Sequence, residues 1–185
     1  MTRTPIIKQK EFLEIFLYIF QEKQAVPYNI EILNDYDSYD KHYGIYEYMK
    51  SKKYYSNLDK NAFGKKLLRF KKLGFIDLLQ HPLQRKGKQR GKISSYSINY
   101  YELISYMLLK CTPTWFVEIY KDGGRIIDKK IFISSESRVK FQSHIELEIQ
   151  KYIKFRNDPI HKKINCLYDL FTYLLQTYLF KDFIK

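Results

Sequence analysis

At Gly74 the spacing of apolar residues changes, and that change limits what the middle of the chain can become. Before it, Phe63, Leu67 and Phe70 recur at the intervals of one helix face, with Leu73 at its margin. After it, FIDLLQ (75–80) is strand-like and ISSYSINY (93–100) resumes with Tyr96, Ile98 and Tyr100 on one side. Asn57 or Asp59 supplies an N-cap for the helix, and Gly74 stands where a left-handed residue closes it after Leu73. The pattern predicts a helix followed by a hairpin.

Between the two strands lies PLQRKGKQRGK (82–92), with five cations and no carboxylate. The side of the helix away from its apolar face carries Asn61, Lys65, Leu68 and Lys72, with Arg69 at the edge. Residues 50 to 92 hold fourteen Lys or Arg against two Asp, a net +12 of the +13 on the whole chain. Lys-rich faces are commonly only solvated surface. Here the charge coincides with a helix and the hairpin that follows it, the pattern expected of a polyanion partner.

Upstream, apolar residues at 12, 13, 16, 17 and 20 predict a helix over Lys8 to Lys23. Pro27 is read as opening a short helix through Leu33, NDYDSYDKHYG (34–44) as a loop, and Ile45 to Lys52 as a second helix. The succession of helix, helix, basic helix, glycine, strand, basic loop and strand resembles the winged helix-turn-helix family over about residues 8–100. The run NLDKNAFGKKLLRFKKLGFIDLLQHPLQRKGKQRGKISSYSI carries most of the likeness. The long loop before the second helix departs from the shortest family members.

The resemblance implies a DNA-binding domain over 1–100, with a recognition helix at 57–73 and a wing at 81–92. Asn61, Lys65 and Arg69, at i, i+4 and i+8, are the expected base contacts; Lys60, Lys66 and Lys72 flank them and suit phosphate. Arg85, Lys86, Lys88, Arg90 and Lys92 would follow phosphate from the wing or enter the minor groove. RNA remains an alternative partner.

Residues 101–185 read as a helical domain. NYYELISYMLLK (99–110) predicts a helix leaving the wing; residues 112–135, with Asp122-Gly-Gly124, admit two short helices or a hairpin. Glu136–Phe155 and Pro159–Phe180 predict a helical pair, with Phe141, Ile145, Ile149, Tyr152 and Ile153 facing Ile160, Ile164, Leu167, Phe171, Leu174 and Tyr178. Their long apolar faces suggest a homodimer. Between them stands KFRNDPIHKK (154–163), which resembles the R-x4-H signature of HEPN ribonucleases in Arg156, Asn157 and His161.

That second resemblance, over at most residues 100–185, implies metal-independent RNA cleavage at a dimer cleft, with the motif at the start of the last helix and Pro159 at its first position. Arg156, seven residues after Ile149, is expected on the packed side of its helix, within reach of a cleft. The structural alternative is an Arg at a helix end beside a partly packed His.

Two cysteines, Cys111 and Cys166, cannot make a disulfide framework and sit in no metal-ligand spacing. His42, His81 and His144 suggest no ligand role. Trp115 and the tyrosines read as core or interface residues, with Tyr54 and Tyr55 beside the third helix open to either that role or base stacking. No cofactor or metal is expected. The apolar run Phe12–Phe20 is short and interrupted by Glu14, so the reading is a cytoplasmic protein with no membrane partner. The expected fold is mainly α with a small β-wing. The expected function is a DNA-binding transcriptional regulator, with a ribonuclease or a replication accessory protein as alternatives.

Overall fold

A computed structural model describes residues 4–22, 26–27, 44–52, 55, 57–83, 91–114, 126–127, 130–131 and 135–179. Within them the chain is mainly helical with a small antiparallel sheet. It divides into two compact units, one of Glu14–Asn99 and one of Met1–Leu13 with Tyr100–Lys185.

The first helix, α1 (Lys10–Gln21), follows a 3-10 turn at Ile6–Lys8. Every residue from 11 to 20 is buried, including Glu11 and Glu14. A helix apolar on nearly all sides can be stable only when enclosed in this way. Helix α2 (Ile45–Ser51) lays Tyr48 flat against Tyr18, with ring centroids 3.8 Å apart. Burial, then the nearby Glu22, Tyr48 and Glu47, pushes the Tyr18 phenol upward and keeps it neutral.

Val26–Pro27 forms strand β1, which pairs with a later strand through Val26↔Tyr96 and Pro27↔Ser95. Pro27 therefore does not open a helix. It lacks an N–H, and β1 is an edge strand, where one side of the backbone needs no partner. Residues 28–43, including the expected Asp- and Tyr-rich loop, lie outside the described residues.

Helix α3 (Lys60–Lys72) leads through Gly74 into β2 (Ile76–Leu83), which pairs antiparallel with β3 (Gly91–Ile98). The sheet order is β1-β3-β2. The register runs from Ile76↔Ile98 to Leu83↔Gly91, so pairing continues past the expected strand ends. The wing loop is consequently shorter than 81–92: His81, Pro82, Leu83, Gly91 and Lys92 are strand residues. Pro82 is tolerated because β2 is the other edge. At the opposite end the Asn99 N–H donates to the Phe75 carbonyl at 2.8 Å, and Tyr100 begins a helix instead of extending β3.

In the other unit, α4 (Tyr100–Tyr106) runs on into a π-helical turn, Met107–Cys111. Ile126–Ile127 (β4) pairs antiparallel with Lys130–Ile131 (β5), so this part of 112–135 is a hairpin. Asp122-Gly-Gly124 and Trp115 lie outside the described residues. Helix α5 (Ser135–Lys154) packs on α6 (Leu167–Tyr178). Phe141, Ile145, Ile149 and Tyr152, with Leu167, Phe171 and Leu174, are fully buried, and Phe141 stacks on Tyr178 at 4.4 Å. Each such side chain contributes about 1.5–3 kcal/mol through removal from water.

The last helix does not start at Pro159. Residues 155–160 are turns, His161–Lys163 is a 3-10 turn, and α6 begins only at Leu167. A first turn does begin after Pro159, with Asp158 as its cap, but it ends at Lys163. The Asp158 carboxylate accepts from the Ile160 N–H at 2.9 Å, and its carbonyl accepts from the His161 and Lys162 N–H groups. Cys166 is extended, with φ −149° and ψ 172°, and Asp169 takes the Asn165 N–H at 2.9 Å. The extended backbone at Ile164 and Cys166 is what separates this short turn from α6. Ile160, expected in the core, is 71% exposed as a result.

Candidate nucleic-acid interface

Helix α3 is fixed at both ends. Asp59, the N-cap, accepts from the Ala62 N–H at 2.7 Å, satisfying one of the first-turn donors. The Tyr46 hydroxyl donates to the Leu58 carbonyl at 3.1 Å, tying α2 to the residue before the cap. At the other end Gly74 has φ 81°, a value that costs a residue with a Cβ, and its N–H donates to the Lys71 carbonyl at 2.8 Å.

Phe63, Leu67 and Phe70 are fully buried, and Phe70 meets Phe75 edge-on at 5.9 Å. This anchors one side of the helix and turns the other outward. Asn61, Lys65, Leu68, Arg69 and Lys72 are all exposed. At 100° per residue they occupy an arc of about 100° on the helix surface. Among the described residues no carboxylate pairs with Lys65, Arg69 or Lys72.

The flanking cations differ. Lys60 and Lys66 are half-buried and have partners within the fold. The Lys60 ammonium lies 5.8 Å from the centre of the Tyr46 ring, which Lys50 also approaches, at 5.9 Å; Lys52 sits 4.4 Å from the Tyr48 ring. The Tyr46 face holds cations at the start of α3 without removing their charge. Sequence reasoning missed Tyr46 in this role, because only the packing of α2 brings it to the start of α3. Arg85, Lys86, Lys88 and Arg90 lie outside the described residues. Lys92 is opposite Pro82 in the β2–β3 ladder.

The Arg156 motif has another character. Arg156 is half-buried in the turn beyond Lys154, not on α5 itself, and Asn157 is exposed beside it. His161 is engaged through both ring nitrogens: Nδ1 is 2.9 Å from the Phe155 carbonyl and Nε2 is 3.2 Å from the Tyr173 hydroxyl. A carbonyl only accepts, so Nδ1 carries a proton. The Tyr173 hydroxyl also reaches Glu148 Oε2 at 3.4 Å, and Lys151 bonds Glu148 Oε1 at 2.7 Å. Burial, followed by Glu148, pushes the Tyr173 phenol upward.

The His161 ring is also enclosed edge-on by Tyr152 and Tyr173, at 5.6 and 5.4 Å. A depression of about 650 Å³ lies nearby, lined by Pro159, Ile160, Lys163, Tyr168, Tyr173 and Gln176, and neither Arg156 nor His161 is part of its wall. The partners Glu148 and Tyr173 are remote from His161 in sequence, and no local signal marks them.

Other reactive groups are packed. Burial pushes the Cys111 thiol up to about 12 and raises that of Cys166, which removes the thiolate needed for nucleophilic work. His144 Nε2 is 3.3 Å from the Thr177 hydroxyl, beside the Tyr178 ring. His81 is a β2 residue, and His42 lies outside the described residues. Among the described residues no group of three His, Cys, Asp or Glu is placed to hold a metal, and no helix is long and apolar enough to cross a membrane. No family model, curated protein or solved structure matches the chain.

Proposed function

We propose that the chain is a DNA-binding protein of winged helix-turn-helix layout, acting as a transcriptional regulator, with α3 as recognition helix and the β2–β3 hairpin as wing. The observation that carries this reading is the outward side of α3. Lys65, Arg69 and Lys72 stand there beside Asn61, unmatched by carboxylates among the described residues, on a helix that leads directly into a hairpin. The sheet order β1-β3-β2 supports the same layout, since a short strand after the first helix braces the base of the hairpin.

A helix of this kind fits the major groove. Asn61, Lys65 and Arg69 reach base edges, while Lys72 faces the groove rim and its phosphates, and Lys60 and Lys66, already engaged within the fold, add positive potential beside it. The wing cations Arg85, Lys86, Lys88, Arg90 and Lys92 add phosphate contacts. If about six phosphates are neutralised, the slope of log K against log salt is about −5 for duplex DNA. Fluorescence anisotropy with a labelled duplex over a salt series tests this, and an affinity flat with salt overturns it.

The homodimer needs a new basis, because the apolar faces of α5 and α6 that suggested it are buried within the chain. Val139 and Leu147 remain exposed on α5 and are the surface for a second copy. Light scattering showing a monomer at micromolar concentration removes that part. The ribonuclease reading gains no matching observation, since His161 is engaged at both ring nitrogens and its motif precedes α6 instead of starting it. A replication accessory role would appear as preference for forked or single-stranded DNA over duplex.

A further inference from the structure

Leu68 is the one large apolar side chain on the outward side of α3, and it is 48% exposed. Isolated exposed leucines are ordinary on protein surfaces. This one lies within the arc formed by Asn61, Lys65, Arg69 and Lys72, where every neighbour can donate a hydrogen bond. Its side chain can neither donate nor accept. It therefore has nothing to offer a phosphate, nor the polar edges of guanine, cytosine and adenine. The major groove presents one apolar group, the C5-methyl of thymine.

We infer that Leu68 reads a thymine methyl, so that the α3 surface selects a T-containing site and favours DNA over RNA, whose uracil lacks that group. This deepens the DNA-binding reading and rests on it. The geometry is economical. Lys65 precedes Leu68 by three residues and Lys72 follows it by four, so both border it on the helix surface and can hold the flanking backbone while the leucine faces the groove floor.

The test compares two pools of random-sequence duplex DNA made by enzymatic copying, one with thymidine and one with deoxyuridine throughout. After one round of selection on each, affinities are measured by anisotropy over a salt series. One contacted methyl is worth about a four-fold difference in Kd. The wild type is expected to bind thymidine duplexes about four-fold more tightly, Leu68→Ala to bind both alike, and Leu68→Met to keep a preference.

Thermal unfolding of each variant confirms that it is folded; Leu68 is exposed, so the midpoints should agree closely. Equal wild-type affinity for both pools, with steep salt dependence, overturns the role of Leu68 and leaves DNA binding standing. A preference that survives in Leu68→Ala also overturns it. Absence of salt-dependent binding to either pool overturns this inference together with the reading beneath it.

Discussion

The outward side of α3 and the turn around His161 both gather cationic and polar groups, yet they differ in what those groups already touch. His161 has a partner at each ring nitrogen and an aromatic ring on two sides. Lys65, Arg69 and Lys72 project into solvent with no carboxylate beside them among the described residues. A polar group satisfied inside the fold stabilises it and has little left for a ligand. An exposed, unmatched row of charge contributes little to stability and keeps its capacity for binding. Polar groups are thus tied into the fold in one place and left open to solvent in the other.

The contrast makes opposite predictions for stability and binding. The largest effect belongs to the buried side of α3: Phe70→Ala removes a fully enclosed ring and should cost about 3–5 kcal/mol in denaturant unfolding. Affinity would fall with it, because the helix loses its seat. On the outward side, the double variant Lys65→Ala/Arg69→Ala should reduce duplex affinity roughly hundred-fold, as two base-edge or phosphate contacts are lost. Its unfolding midpoint should stay within experimental scatter of the wild type. If instead it unfolds easily and binds normally, the comparison is inverted and the proposed interface fails.

His161→Ala supplies the reverse case. It deletes two hydrogen bonds and leaves the Phe155 carbonyl and the Tyr173 hydroxyl to find other partners, a loss of about 1–3 kcal/mol. DNA affinity should be unaffected. RNA incubated with the wild type in chelator should remain intact; cleavage that His161→Ala abolishes would show the motif to be catalytic and break the contrast.

The parts of this architecture that were readable in sequence are those set by local rules. Asp59 and Gly74 bracket α3 because capping and left-handed geometry each favour few residue types, and Phe63, Leu67 and Phe70 repeat at helical spacing. What escaped depended on distant chain. Strand β1 is two residues long and exists only because β3 offers an edge to Val26 and Pro27. The turn expected after Pro159 does form, capped by Asp158, but extended backbone at Ile164 and Cys166 breaks it off and the last helix starts afresh at Leu167. Tyr46 and Tyr173 come to their sites from other helices, so neither the cradle for Lys60 nor the clamp on His161 could be read from spacing.

The smallest effect tests whether α3 must be held rigid to bind. Asp59→Ala removes the bond to the Ala62 N–H while leaving the exposed arc untouched, at a cost of about 1 kcal/mol in stability. Asn61 follows the cap by two residues, so fraying of the first turn would disturb its approach to a base before it affects Arg69 or Lys72. Affinity should therefore fall by less than the double variant's loss, with the salt slope nearly unchanged, since the cations remain. Asp59→Asn or Asp59→Ser, which retain a capping oxygen, should restore both quantities. Tighter binding by Asp59→Ala than by the wild type would mean that loss of a negative charge near the phosphates outweighs loss of the cap, and that α3 acts through its field more than through its geometry.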